Sequence, residues 1–449
     1  MAKFTNPNDH EMFVPLHRRN HLLGIINGVL VQVGNRLLDP MTVLPLLLLR
    51  LSGLTWTVGV LQAIIIVSPA LPAIFAAPWI DTAERKLPIF KLYSIIRFSA
   101  LIGMAVSVLA GVHLTGILIA ALVLFFFTCW FTAQAVSTMA FMDIVAKSTP
   151  TTMRGSFWMW RQIIGLFLVL TVAVPFIHYM VGDNSPAAFP MNYGIVLLVA
   201  ALILGSSWVV YSQVKEPASK AAHHKLSLRL HIARGMRFWR RDRRYRRMVR
   251  VVLLLASAGS VGPFFMALAV QEWGFPDTAV ATFLSVQILA QMGGSVLQGR
   301  VSDKLGNRRV LVVAAFAGLA TTLVALFGAA LTPSGGFEIL GYGISYRMLV
   351  LCLCFVGSGI YTAHVWPGYN NYVLDIAPER KRPSYLGFTN LFIAPVGIVP
   401  LAFGWVAQTV SIVLVFAIGA LFALAAALLS LRIYEPRDDL TIEQLQVFS

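Results

Sequence analysis

The chain has 449 residues, 58% of them hydrophobic and only 12% charged. A water-soluble domain of that length is about a quarter charged, so a soluble enzyme or scaffold is excluded and a membrane protein is indicated. The formal net charge of +16 invites a nucleic-acid reading, but the basic residues sit mostly in short stretches between apolar runs, which argues against it.

Residues 1–21 are polar and include Lys3, Arg18 and Arg19. The apolar run after them is too long for the core of a cleavable signal, so the N-terminus is expected to stay in the cytoplasm. Twelve apolar stretches long enough to cross a bilayer follow: 22–49, 56–79, 89–110, 115–145, 157–181, 192–214, 249–271, 278–298, 309–332, 346–374, 386–407 and 410–433. The expected fold is an all-α membrane protein of twelve transmembrane helices. It divides into a six-helix bundle at 22–214, a basic linker at 215–248, a second bundle at 249–433 and a tail at 434–449. With both ends inside, the inner loops hold nearly every Lys and Arg, among them Arg85, Lys86, Lys147, Arg154, Arg300, Lys304, Arg308, Arg309, Arg380, Lys381 and Arg382. The outer loops carry Arg50 and Arg347 beside Asp183, Glu272, Asp277 and Glu338. This positive-inside asymmetry orients the chain in a plasma or inner membrane.

Span 1 contains "GNRLLDPMTVLP" at 34–45. Arg36 and Asp39, with Asn35 beside them, fall near its midpoint, where a charge is costly unless it faces protein or water. A spacing of three puts both on one helical face, and Pro40 frees a carbonyl and lets the helix bend. Two readings stand: a self-neutralising pair that pins span 1, or a cavity in which Arg36 holds an anionic solute and Asp39 takes up a proton. In span 4, Trp130 and Gln134 lie one turn apart near mid-depth, as cavity lining or as helix packing. The linker ends in "RGMRFWRRDRRYRRMVR", a basic run with interleaved aromatics that suits RNA but, beside a membrane helix, more simply rests on anionic headgroups.

In span 10, His364 is a candidate proton carrier near neutral pH, or a packing histidine. Tyr361 and Trp366 offer stacking faces with polar tips, Asn370 and Asn371 offer amides, and Pro367–Gly368 are expected to break the helix. Asp143 and Asp375, nearer the inner ends, are expected to bind loop arginines. Cys129, Cys352 and Cys354 offer no disulfide framework or zinc-ligand spacing and read as free buried thiols. No metal site and no cofactor are expected.

Two pairs of motifs recur at nearly one offset. "APWIDTAERKL" (77–87) and "GRVSDKLGNRRVL" (299–311) align Asp81 with Asp303 and Lys86 with Arg308; Pro150–Arg154 aligns with Pro378–Arg382. They indicate two homologous halves. "GRVSDKLGNRR" resembles the loop motif of the major facilitator superfamily, through Gly299, Asp303, Gly306, Arg308 and Arg309. In the first-half copy Ala77 and Glu84 stand where the glycines would be. The resemblance, which covers the whole chain, implies a loop that latches the halves on the cytoplasmic side in the outward-facing state. Its residues are Asp81, Arg85, Lys86, Arg154, Gly299, Asp303, Gly306, Arg308 and Arg382, with a plain polar turn as the alternative.

Span 5 lacks the G-x-x-x-G-P-x-x-G-G pattern of proton-driven drug antiporters, which lowers a reading as an exporter of amphipathic compounds. No H-E-x-x-H, G-x-S-x-G or P-loop appears, and "VGSG" at 356–359 reads as a close helix contact rather than a nucleophile. No catalytic residue is assigned. The expected function is secondary transport of a small organic, anionic solute by alternating access, proton-coupled through Asp39 or His364, by a monomer with no nucleic-acid partner. The rival is a transporter-like receptor or membrane assembly factor that moves nothing.

Overall fold

Inside a bilayer no water is at hand for the backbone amides, so each apolar span closes its own hydrogen bonds as a helix. The computed structural model describes residues 7–70, 76, 80, 83–149, 153–182, 185–217, 236, 239–332, 334–339, 342–377 and 382–435. Among them, ten helical spans are long and apolar enough to cross a membrane, and two shorter apolar helices accompany them.

Contacts group the chain into two compact units: residues 1–39 with 71–226, and residues 40–70 with 227–449. Unit 1 holds α1 (Pro7–Leu37), α4 (Leu87–Leu109), α5 (Gly116–Ser148), α6 (Arg154–Leu168), α7 (Val174–Val181) and α8 (Met191–Tyr211). A π turn at Val169–Ala173 joins α6 to α7, so span 5 is one interrupted helix. Helix α1 packs on α6 and α8, and α4 packs on α5 and α8.

Unit 2 opens with α2 (Val43–Ser52) and α3 (Trp56–Val67) and continues with α9 (Arg243–Gly259), α10 (Phe264–Ala267), α11 (Ala279–Leu305) and α12 (Asn307–Leu331). A β-hairpin, β1 (Gly336–Ile339) paired antiparallel with β2 (Tyr342–Ser345), leads into α13 (Tyr346–Ile376). The chain ends in α14 (Arg382–Ile393), α15 (Ile398–Thr409) and α16 (Ile412–Ser430). Helix α13 packs on α11 and α12, and α16 packs on α9 and α12.

Several expectations are revised. Span 1 is not one helix. The chain is helical from Pro7, within the expected polar tail, to Leu37, then turns through 38–42 before α2. Pro40 has no N–H to offer the ladder, and the break puts Arg36 in the last turn of α1 rather than at mid-helix. Residues 40–70, expected in the first bundle, pack instead with unit 2. Gly59 of α3 lies against the Pro400 carbonyl and the Gly404 backbone of α15, so close that a Cβ would collide. Thr55 donates its amide to Gln408 Oε1 at 2.5 Å, and its hydroxyl to Gln271 Oε1 at 2.8 Å. Arg50 pairs with Asp277 at 2.5 Å.

The basic run before span 7 leads into an amphipathic helix with exposed arginines. Asp242 caps α9 by accepting from the Arg244 and Tyr245 amides, and Tyr245, Met248, Val249 and Val252 form a buried face at helical spacing. The arginines at 243, 246, 247 and 250 lie between those positions in the sequence. Pro367 does not break span 10; α13 runs on through it.

Gly299 and Asp303 belong to the last turns of α11 rather than to a loop. Gly306 ends that helix at φ +88°, ψ 164°, a conformation open essentially only to glycine, with the Glu435 carboxylate packed against it. Asn307 donates to Asp375 at 2.7 Å and Arg308 donates to the Leu431 carbonyl at 2.9 Å. Asp375 thus takes an amide, and Asp143 takes Lys147 at 2.5 Å; neither contact uses a loop arginine.

Lys86, named among the latch residues, is buried and donates to the Ile80 and Ala83 carbonyls. Glu216 closes this end of unit 1, accepting from the Lys86 and Leu87 amides at 2.9 and 2.7 Å and pairing with Lys147 at 3.0 Å. Glu216–Pro217 and Glu435–Pro436 add a third element to the internal repeat. Asp81 lies outside the described residues, as do the side chains of Arg154 and Arg382; Arg85 is exposed.

Candidate functional site

Arg36 and Asp39 meet, Nη1 to Oδ2, at 3.1 Å, with their side chains 14% and 4% exposed. The pair is local: Arg36 closes α1, and Asp39 lies in the turn that Pro40 imposes. Each charge is therefore already partnered. Asn35 is half-buried, and its carbonyl accepts the Leu38 amide at 3.2 Å.

Unit 2 contains a cavity of about 190 Å³ bounded by α9, α12 and α13, with Met41, Gln62 and Ile66 supplied by the segment that crosses over from the first half of the sequence. Its polar lining is Gln62, Thr321, Thr322, Ser358, Tyr361 and Thr362, none of them formally charged. The hydroxyls are directed. Thr321 donates to the Ala317 carbonyl at 2.7 Å, Thr322 to Gly318 at 3.0 Å and Thr362 to Ser358 at 2.8 Å. Tyr361 donates to the Leu255 carbonyl at 2.6 Å. With their protons engaged by the helices, these oxygens offer lone pairs to anything in the cavity.

Of the span 10 candidates, Tyr361 alone lines this cavity. His364 is fully buried, its Nδ1 2.8 Å from the Ile360 carbonyl and its Nε2 without a partner among the described residues. Trp366 is 60% exposed, and Asn370 donates to the Trp366 carbonyl at 2.7 Å. In unit 1, Trp130 is buried against Phe127 and Phe131. Its Nε1 has no partner among the described residues, nor has Gln134 Oε1.

Two intramembrane cations escape a motif search. Arg97 of α4 is 4% exposed, donates to Ser137 Oγ at 3.0 Å and stacks 3.9 Å from the Trp208 ring centre. Arg161 of α6 is 8% exposed and donates to the Gly24 carbonyl and, at 3.2 Å, to Asn27 Oδ1. Phe141, Phe157 and Trp158 surround it at 5.0–5.2 Å. Gly28 lets it lie flat on α1, where a Cβ would collide with the guanidinium. Neither is ion-paired with a carboxylate among the described residues; aromatic faces and carbonyls take that part. The rule that singles out Arg36, a charge inside an apolar run, finds both when applied evenly. The cavity hydroxyls carry no such signal, because threonine and serine are ordinary within helices.

The family model described as Major Facilitator Superfamily matches residues 164–399 and 252–446. A putative metabolite transport protein of Haemophilus influenzae is 28% identical over 121 residues. That match spans 27% of this chain and only a quarter, 25%, of the relative. Among solved structures, a mutant of the nucleoside transporter NupG superposes with a TM-score of 0.66 at 12% identity, covering 94% of this chain and 100% of that one. The xylose transporter XylE from E. coli, in a partially occluded inward-open conformation, gives 0.65 at 12% identity, covering 93% and 99%.

Proposed function

Because the chain belongs to the Major Facilitator Superfamily, we propose that it is a secondary transporter, not an enzyme, moving a small organic solute by alternating access at the expense of a proton gradient. The observation that carries the reading is the uncharged cavity of unit 2, whose mostly apolar lining includes six polar side chains. Its threonine and tyrosine oxygens present lone pairs rather than protons, so it favours a solute rich in donors, such as the hydroxyls of a sugar or polyol or the groups of a nucleoside. The similar proteins named for xylose and nucleosides agree with that class.

Anionic character and proton coupling enter through Arg36 and Asp39. While Asp39 is ionised it occupies Arg36. Once Asp39 takes a proton, its hold on the guanidinium weakens and a carboxylate on the solute can compete for Arg36. Proton and anion then bind together, which is symport. His364 is the second candidate carrier. Gly299, Asp303, Gly306 and Arg308, with Asp81, Arg154 and Arg382, steady the outward-facing state. The protein works as a monomer in the cell membrane with both termini in the cytoplasm.

The test is uptake into proteoliposomes of pentoses, polyols, nucleosides and hydroxy acids, with and without an inward proton gradient. Accumulation of a hydroxylated solute that collapses with the gradient is the expected result. Correctly folded protein that moves no member of the panel, at any gradient, overturns the proposal.

A further inference from the structure

We propose that the groove between α4 and α8 on unit 1 seats one anionic phospholipid from the leaflet facing the basic loops. The groove has a volume of about 660 Å³ and is walled by Ile95, Phe98, Leu202 and Val209. Ile95, Leu202 and Val209 are 66, 51 and 63% exposed, apolar surface that in a membrane-spanning bundle is met by acyl chains. Its length fits the occupant. From Ser212, at the loop end of α8, to Leu202 the helix rises about 15 Å, half of a hydrocarbon core of about 30 Å.

Charge selects the headgroup. Lys91 lines the groove one turn into α4, at the loop end, and is exposed. Its long stem can lie along the apolar wall while the ammonium stays at headgroup level. Behind the wall, Arg97 stacks on Trp208, itself part of the lining. Neither cation is ion-paired with a carboxylate among the described residues. The groove is thus apolar along its length and positive at the end where a phosphate would stand. Gly205 keeps it open, for a Cβ there would come within 2.8 Å of the Phe98 ring and push that ring aside.

The experiment uses the full-length protein in nanodiscs of mixed phosphatidylglycerol and phosphatidylcholine, with retained lipid counted by native mass spectrometry. The wild type should hold one phosphatidylglycerol in preference to phosphatidylcholine. Lys91→Gln should cut that preference about fivefold, the effect of one lysine near the membrane surface, and Gly205→Leu should abolish retention of both lipids. Unchanged preference in Lys91→Gln overturns the proposal. So does equal retention of the two lipids by the wild type, or a shift of Gly205→Leu from dimer to monomer, which would make the occupant a second copy. A second measurement does not depend on Gly205→Leu folding. Phosphatidylglycerol brominated on its acyl chains should quench a fluorescence component that Trp208→Phe lacks. Equal quenching in both proteins overturns the assignment.

Discussion

Neutralising Arg36 and Asp39 singly and together separates a coupling pair from a structural one. At 3.1 Å and an effective dielectric constant of about 20, the two charges attract by about 5 kcal/mol. Taking each out of water costs several kcal/mol, so the intact pair is worth little net and the damage comes from stranding one member. Arg36→Gln takes the guanidinium away from Asp39, the more deeply buried at 4% exposure, at a cost of about 3–5 kcal/mol. Asp39→Asn leaves Arg36, 14% exposed and better hydrated, and should cost about 1–3 kcal/mol. The double replacement removes both charges and should come within about 1 kcal/mol of wild type.

Melting of the purified proteins should therefore rank wild type and the double variant highest, then Asp39→Asn, then Arg36→Gln. Transport should rank differently. Asp39→Asn resembles a protonated carboxyl and should keep solute exchange while losing uphill accumulation. The double variant should be stable and unable to accumulate solute. Proton-driven accumulation at the wild-type rate in the double variant, or an Arg36→Gln protein that melts with wild type, refutes the reasoning.

Gly306→Ala should destabilise unit 2 by about 1–3 kcal/mol, because alanine at φ +88° is strained and its methyl meets the Glu435 carboxylate; an unchanged melting temperature would count against both causes. Thr321→Val keeps shape but removes a cavity lone pair, so solute affinity should fall by a factor of about ten while melting stays put; equal affinity would remove Thr321 from the binding wall. Glu216→Gln keeps one acceptor for the amides of Lys86 and Leu87 but loses the charge facing Lys147. It should lower stability by about 1–3 kcal/mol, and wild-type melting would show the cluster to be solvated rather than structural.

The helical, membrane-spanning character of most apolar stretches and the repeat between halves are legible in the sequence, as is the close pair Arg36–Asp39. The reason is physical: a bilayer forces every crossing segment to be apolar and helical, so hydrophobic length alone marks it, and a charge within it stands out. Tertiary packing decided the rest. That residues 40–70 pack with the second half follows from Gly59 meeting Gly404, a shape match between positions far apart in the chain. The arginine-rich run at 243–250 hides the buried face of Tyr245, Met248 and Val249, because composition averages over a helix whose opposite sides meet different surroundings. The cavity exists where Thr321, Thr322 and Thr362 turn their protons back to their own helices and their lone pairs inward. No spacing in the sequence announces that direction, since the same residues serve equally well facing lipid or packed in a core.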